Sequence, residues 1–342
     1  MESFPSLLIG FVGLALFFAF TNGINDSANQ VATVISSRAL PPEAALTLAA
    51  IGNFIGASYL GTHVARTIAQ GIVHPVWTTG AIYGLLVLMS AVLAAVSWNI
   101  FSWFYGFPSS SWHAMVGGLL GAFVAAWGFE SIRWSTVRTI VIVMLLSPIL
   151  GFLITYFFTK FTFFLSQWAS PKANEVFKKL QVLSLLAQSI AHGTSDAQKT
   201  MGILVLGLTV LGRPAASIGG DDFIPRWVLF SSAAAISLGT LIGGWRIIKT
   251  LGAGFYRVRP IHGFGSQTAA SAIIYSCAFL GFPVSTTEVI SSSVMGAGAA
   301  YRPKAVRWEL AGEMVIAWLI TIPASALVAA LACKLIQWLY KG

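Results

Sequence analysis

Asn22-Gly23-Ile24-Asn25-Asp26-Ser27-Ala28-Asn29 and His192-Gly193-Thr194-Ser195-Asp196-Ala197-Gln198-Lys199 are two polar stretches that share a glycine, an aspartate and the spacing between them. Each sits inside an apolar run, with 7–20 and 31–35 flanking the first and 183–190 and 201–211 flanking the second. A second pair lies downstream of each in the same order: Gly106-Phe107-Pro108-Ser109-Ser110-Ser111 and Gly281-Phe282-Pro283-Val284-Ser285-Thr286. The match resumes at Gly121-Ala122 and Gly296-Ala297. Two matched pairs in one order and at nearly one spacing predict a duplicated chain. The expected halves are residues 1–165 and 180–342, joined by the more polar stretch 166–179 with Pro171, Lys172, Asn174 and Glu175.

Of the 342 residues, 56% are hydrophobic and 9% charged, where a soluble domain has about 45–50% and about 25%. Apolar runs such as 44–60, 139–158 and 314–335 approach the roughly 20 residues that a bilayer span needs. The reading is an all-α, multi-pass integral membrane protein with about ten membrane elements. The net charge of +9 does not point to nucleic acid. Its cations, Arg246, Lys249, Arg257 and Arg259 among them, sit in short connectors, as the positive-inside rule expects. Residues 7–20 lack a basic leader and a cleavage site and read as part of a mature helix. Cys277 and Cys333 lie in apolar runs without a partner motif and read as packing residues.

A carboxylate at mid-membrane costs about 2.5–3.5 kcal/mol on insertion scales and usually marks an ion or substrate path. Asp26 and Asp196 are therefore expected to interrupt their helices and to hold a hard cation or relay a proton. Asn25, Asn29 and Ser195 are the neutral partners in that reading; the alternative is that each aspartate caps a half-helix. Only Na⁺ coupling would make Asp26 and Asp196 metal ligands, and no other cofactor is expected. Lys199 stands where the first half has Asn29, placed either to pair with Asp196 or to face an anion.

The proline motifs carry different chemistry. Proline ends the incoming helix and Ser or Thr caps the outgoing one, which predicts two re-entrant helical hairpins with tips at Ser109, Ser110, Ser111 and at Ser285, Thr286, Thr287. Helix N-termini and hydroxyl donors make an anion site without arginine. Beyond the tips, His113 and Glu288 occupy matching positions, and Glu288 is expected to titrate and join the cation coupling. Ser111 near His113 raises the thought of a serine hydrolase. No nucleophile-elbow pattern is present and the second half has Glu288 instead of a histidine, so no enzyme is expected.

Together the four motifs resemble the inorganic phosphate transporter family, which includes bacterial low-affinity phosphate permeases and eukaryotic sodium–phosphate symporters. Its Gly-x-Asn-Asp-x-Ala-Asn signature is similar to residues 23–29, and its Gly-x-Asn-Asp-Ala-Gln-Lys counterpart to residues 193–199. Its Pro-x-Ser-Thr-Thr hairpin looks like residues 283–287, with a first-half version at 108–113. The resemblance implies an inverted-repeat fold, a homodimer in the cell membrane, and symport of phosphate with Na⁺ or H⁺. It also implies that the hydroxylated tips bind phosphate and the motif aspartates bind cations. Ser195 departs from the family's asparagine and Glu288 from a frequent histidine, and these departures leave sulfate as the alternative anion.

Overall fold

Chains this apolar leave their backbone few options. In lipid every N–H and C=O must be satisfied within the protein, and helices do this locally. The computed structural model describes residues 3–74, 80–106, 108–170, 172–212, 223–254 and 258–341. Phe107, Pro171 and Arg257, singled out from the sequence, lie outside the described residues. The helices are α1 (Ser3–Ser36), α2 (Pro42–Tyr59), α3 (His63–Gly71), α4 (Ala81–Tyr105), α5 (Ser111–Trp127) and α6 (Trp134–Leu165). They continue with α7 (Ala173–Val210), α8 (Arg226–Ile242), α9 (Trp245–Gly254), α10 (Pro260–Phe279), α11 (Thr286–Tyr301) and α12 (Trp308–Lys341). The described residues contain no strand, only an isolated bridge between Val73 and Ile132. The polar connector is shorter than expected, since α7 has begun at Ala173.

Four stretches are long and apolar enough to cross a bilayer unaided: Ser6–Ser36, Ala81–Tyr105, Trp134–Leu165 and Trp308–Leu339. The pair α2 and α3, bent by 65° at a short break, makes at most a fifth. The remaining helices are short or polar, so about ten elements is more than length and composition support. Helix α7 shows why: its residues 191–208 are all buried, so it needs no apolar exterior. Apolar side chains instead crowd the outside of α6 and α12, where Leu145, Ile149, Phe157, Leu319 and Leu331 are exposed. That is the surface expected to face lipid.

Both aspartate motifs lie inside unbroken helices, contrary to the expected interruption. Helix α1 runs for 34 residues through Asp26 and α7 for 38 through Asp196, each about 50 Å or more at 1.5 Å per residue. The small residues read as breakers permit close helix contact instead. A Cβ on Gly23 of α1 would fall on the Ile236 carbonyl of α8, and one on Gly239 of α8 on the Phe20 carbonyl of α1.

The proline motifs do form bends. Helix α4 ends at Gly106 (φ 72°) and α10 is followed by Gly281 (φ 76°), left-handed conformations that suit glycine. Each outgoing helix is then capped: Ser110 Oγ accepts the His113 N–H at 3.2 Å, and Ser285 Oγ accepts the Glu288 N–H at 3.3 Å. Packing crosses between the two ends of the chain, with α1 against α8, α7 against α2, α5 against α12 and α11 against α6. Each bend is also held by the other end. Arg246 of α9 donates to the Phe104 carbonyl of the first, and Thr67 of α3 donates to the Gly281 carbonyl of the second at 2.8 Å.

The close approach of α1 and α8 can be tested away from the polar motifs. Gly239→Val is expected to destabilise the protein by about 1–3 kcal/mol or more through overpacking. Gly13→Ala, where a Cβ meets nothing within 4 Å, should stay within about 0.5 kcal/mol of wild type. Thermal unfolding in detergent micelles measures both.

Candidate functional site

Side chains of α1 and α7 meet the N-termini of α5 and α11 at one buried point. On α1, Asp26 Oδ1 accepts from Asn29 Nδ2 at 2.9 Å and from Thr287 Oγ1 at 3.0 Å, while Ser111 Oγ donates to Oδ2 at 3.4 Å. On α7, Asp196 Oδ2 accepts from Lys199 Nζ at 2.9 Å and from Asn22 Nδ2 at 3.0 Å. Thr286 Oγ1 adds a donor to the same carboxylate at 3.3 Å. Lys199 is fully buried. It also donates to Ser111 Oγ at 2.6 Å and lies 5.3 Å from the centre of the Trp112 ring.

His192 stands between the two acids. Its Nε2 is 3.4 Å from Asp196 Oδ2 and 3.7 Å from Asp26 Oδ2, and Nδ1 lies near the amides of Gln30 (3.2 Å) and Asn53 (3.3 Å). One ligand atom from each of Asp26, His192 and Asp196 falls within 4.8 Å of the others, close enough to share one ion. Two carboxylates are therefore set beside one lysine amine, with hydroxyls, amides and an imidazole completing the shell. A buried charge is tolerable only when paired and hydrogen-bonded in this way.

Asp26, Asp196, Asn29, Lys199, Ser111, Thr286 and Thr287 come together. Lys199 resolves its open placement by touching both Asp196 and the tip serine. Ser110 and Ser285 serve as helix caps, and Ser109 is buried beside them but bonds to neither carboxylate.

Others do not join. Asn25 turns to α4 and donates to the Asn99 carbonyl at 2.8 Å and to Ser102 Oγ at 3.2 Å, because it faces about a quarter-turn away from Asp26 on the helix. The buried Ser195 hydroxyl has no hydrogen-bond partner among the described residues and is likewise off the carboxylate face. Glu288 meets His113 instead, Oε1 lying 3.1 Å from Nδ1. His192 and Asn22 were missed as site residues. The available signal was helical: His192 precedes Asp196 by one turn on the same face, and Asn22 holds the matching place in the first motif.

The description "phosphate transporter family" matches residues 22–329. This chain belongs to that family. It is 42% identical over 330 residues to a probable low-affinity inorganic phosphate transporter of Rhizobium meliloti (strain 1021), covering 96% of each chain. Another probable low-affinity inorganic phosphate transporter, from Bacillus subtilis (strain 168), is 42% identical over 343 residues, covering 99% of this chain and 100% of that one. Among solved structures, one described as the sodium-dependent phosphate transporter superposes with a TM-score of 0.84 at 26% identity, over 97% of this chain and 99% of that one. Family membership and the apolar helices make the chain an integral membrane protein, and its relatives are transporters, not enzymes.

The Lys199–Asp196 pair should be costly to break on one side only. Lys199→Met leaves a buried carboxylate short of its cation and is expected to cost about 3–5 kcal/mol. Adding Asp196→Asn should recover most of that loss, and melting curves of the three proteins in detergent measure it.

Proposed function

We propose that this chain is a symporter that moves inorganic phosphate across the cell membrane together with H⁺ or Na⁺ by alternating access. The observation that carries the reading is the double employment of the tip donors. Ser111, Thr286, Thr287 and Lys199, the groups suited to an oxyanion, are bonded to Asp26 and Asp196 or to each other. An anion that takes these donors strips the carboxylates of partners. A cation that takes the carboxylates returns the donors to the anion. Binding of each is thus favoured by the other, which is what coupling requires.

Charge points the same way. Moving an anion toward a negative interior costs about 2.3 kcal/mol per charge per 100 mV, and accompanying cations offset it. Hydrogen phosphate still carries a proton with which to donate to a carboxylate, whereas sulfate only accepts, so a centre built on two aspartates favours phosphate. The cation is cargo, and an oxygen-rich shell suits a hard ion such as Na⁺.

In this reading the halves are inverted repeats, α1–α6 and α7–α12, with α4–α5 and α10–α11 as re-entrant hairpins. Matched order, matched caps and crossed packing support it, as does the meeting of matched residues at Asp26–His192–Asp196 and His113–Glu288. The proposal extends to a homodimer, which the family resemblance implies.

Purified protein in proteoliposomes tests the function. An imposed Na⁺ or pH gradient should drive concentrative phosphate uptake that a tenfold excess of sulfate leaves largely intact. Asp26→Asn should lower that uptake by about a hundredfold, roughly the effect of about 2.7 kcal/mol. Uncoupled entry that ignores both gradients would rule symport out.

A further inference from the structure

His113 and Glu288 each occupy the third position of a capped helix, one at the start of α5 and the other at the start of α11. Their side chains reach each other across the gap between those helices at 3.1 Å, within ion-pair distance though without hydrogen-bond alignment. Only 7% and 2% of their surfaces are exposed. Neither bonds to the aspartate centre. They look instead into a cavity of about 470 Å³ whose walls, from α6, α11 and α12, are apolar apart from Ser292 and include Met144, Pro148, Phe152 and Trp318.

We propose that His113 and Glu288 form a proton-carrying pair, distinct from the Asp26–Asp196 centre, which takes up one proton as the two hairpins close over phosphate and releases it as they part into water on the other side. This rests on the symport reading above. In a dry site a net charge is far more costly than a neutral pair. The closed pair therefore holds one proton, as imidazolium with carboxylate or as imidazole with carboxylic acid, and both arrangements are neutral. In water near pH 7.5 an ordinary histidine, with a pKa of about 6.5, is mostly neutral and a glutamate, at about 4.3, is ionised. The parted pair then holds no proton and carries one negative charge. Closing over bound phosphate adds H⁺ from the water on one side and opening returns it to the other, while the empty carrier reorients with the pair parted and unprotonated, so one proton moves per cycle.

Neighbouring charges do not supply that proton's balance. Arg138 and Lys160 of α6, Glu309, Glu313 and Lys334 of α12, and Glu130 and Lys304 in the adjoining turns are exposed and line no part of the cavity. His262 of α10 lies against Phe163 and Tyr301. Helix α4 carries no charged residue. Asp26, His192, Asp196 and Lys199 of α1 and α7 are engaged with one another and with the tip hydroxyls.

The test is thermodynamic, so a slow variant is still informative. Full-length protein in proteoliposomes is brought to equilibrium under a one-unit pH gradient with the membrane potential clamped at zero, and the phosphate accumulation ratio is read. Each coupled proton contributes about a factor of ten. Glu288→Gln is neutral without a proton and should reach a ratio about tenfold below wild type. The exchanged pair, His113→Glu with Glu288→His, should return the wild-type ratio, and it tests the proposal even if Glu288→Gln is lost from the membrane. A wild-type ratio in Glu288→Gln, or a tenfold deficit in the exchanged pair, overturns it. So does a wild type driven by Na⁺ with no response to the pH gradient, a result that leaves symport standing. A wild type that accumulates no phosphate under any gradient overturns the symport reading itself.

Discussion

Two carboxylates held away from water dictate much of the surrounding architecture. Asp26 and Asp196 need donors on every side, and a single helix cannot provide them. The shell is drawn from α1, α5, α7 and α11, so the centre exists only where those four helices converge. The capped N-termini of α5 and α11 bring hydroxyls to the acids, and the bends before them are pinned by Thr67 and Arg246 from the opposite ends of the chain. Electrostatic need in the middle and backbone geometry at the bends thus specify one arrangement.

In the proposed function, the same shell accounts for the binding of ions of both signs in one place. Lys199 pairs with Asp196, while His192 lies between the two acids and neutral donors complete the shell. In the proposed function, a cation and an anion entering together replace contacts that the protein already makes with itself. Little polar surface then goes unsatisfied at any stage, as a low-dielectric interior demands.

Much of this was legible in the residues. Polar groups inside apolar runs stand out, and the proline motifs announced both bends and both caps. What misled was local: glycines and small polar residues at mid-span read as a helix break, whereas Gly23 and Gly193 serve close helix contact and the helices run on. Asn25 and Ser195 were grouped with the acids by adjacency in sequence, yet neighbours along a helix point in different directions. His192 was overlooked for the converse reason, lying one turn from Asp196 on the shared face. Length and composition alone support four or five spans rather than about ten membrane elements, because a helix such as α7 is sheltered by protein and need not be apolar all round.

The crossed packing bears on how the chain is made. Helices α1, α2, α5 and α6 find major packing partners in α8, α7, α12 and α11, all of which leave the ribosome later. Until then the first part of the chain presents glycine grooves and buried-type polar faces to lipid. Interior contacts must form late and across long sequence separations, the circumstance in which folding is slow and intermediates are exposed. Biogenesis of this protein is accordingly a problem of waiting: its early helices have to be kept from wrong neighbours until the last ones arrive.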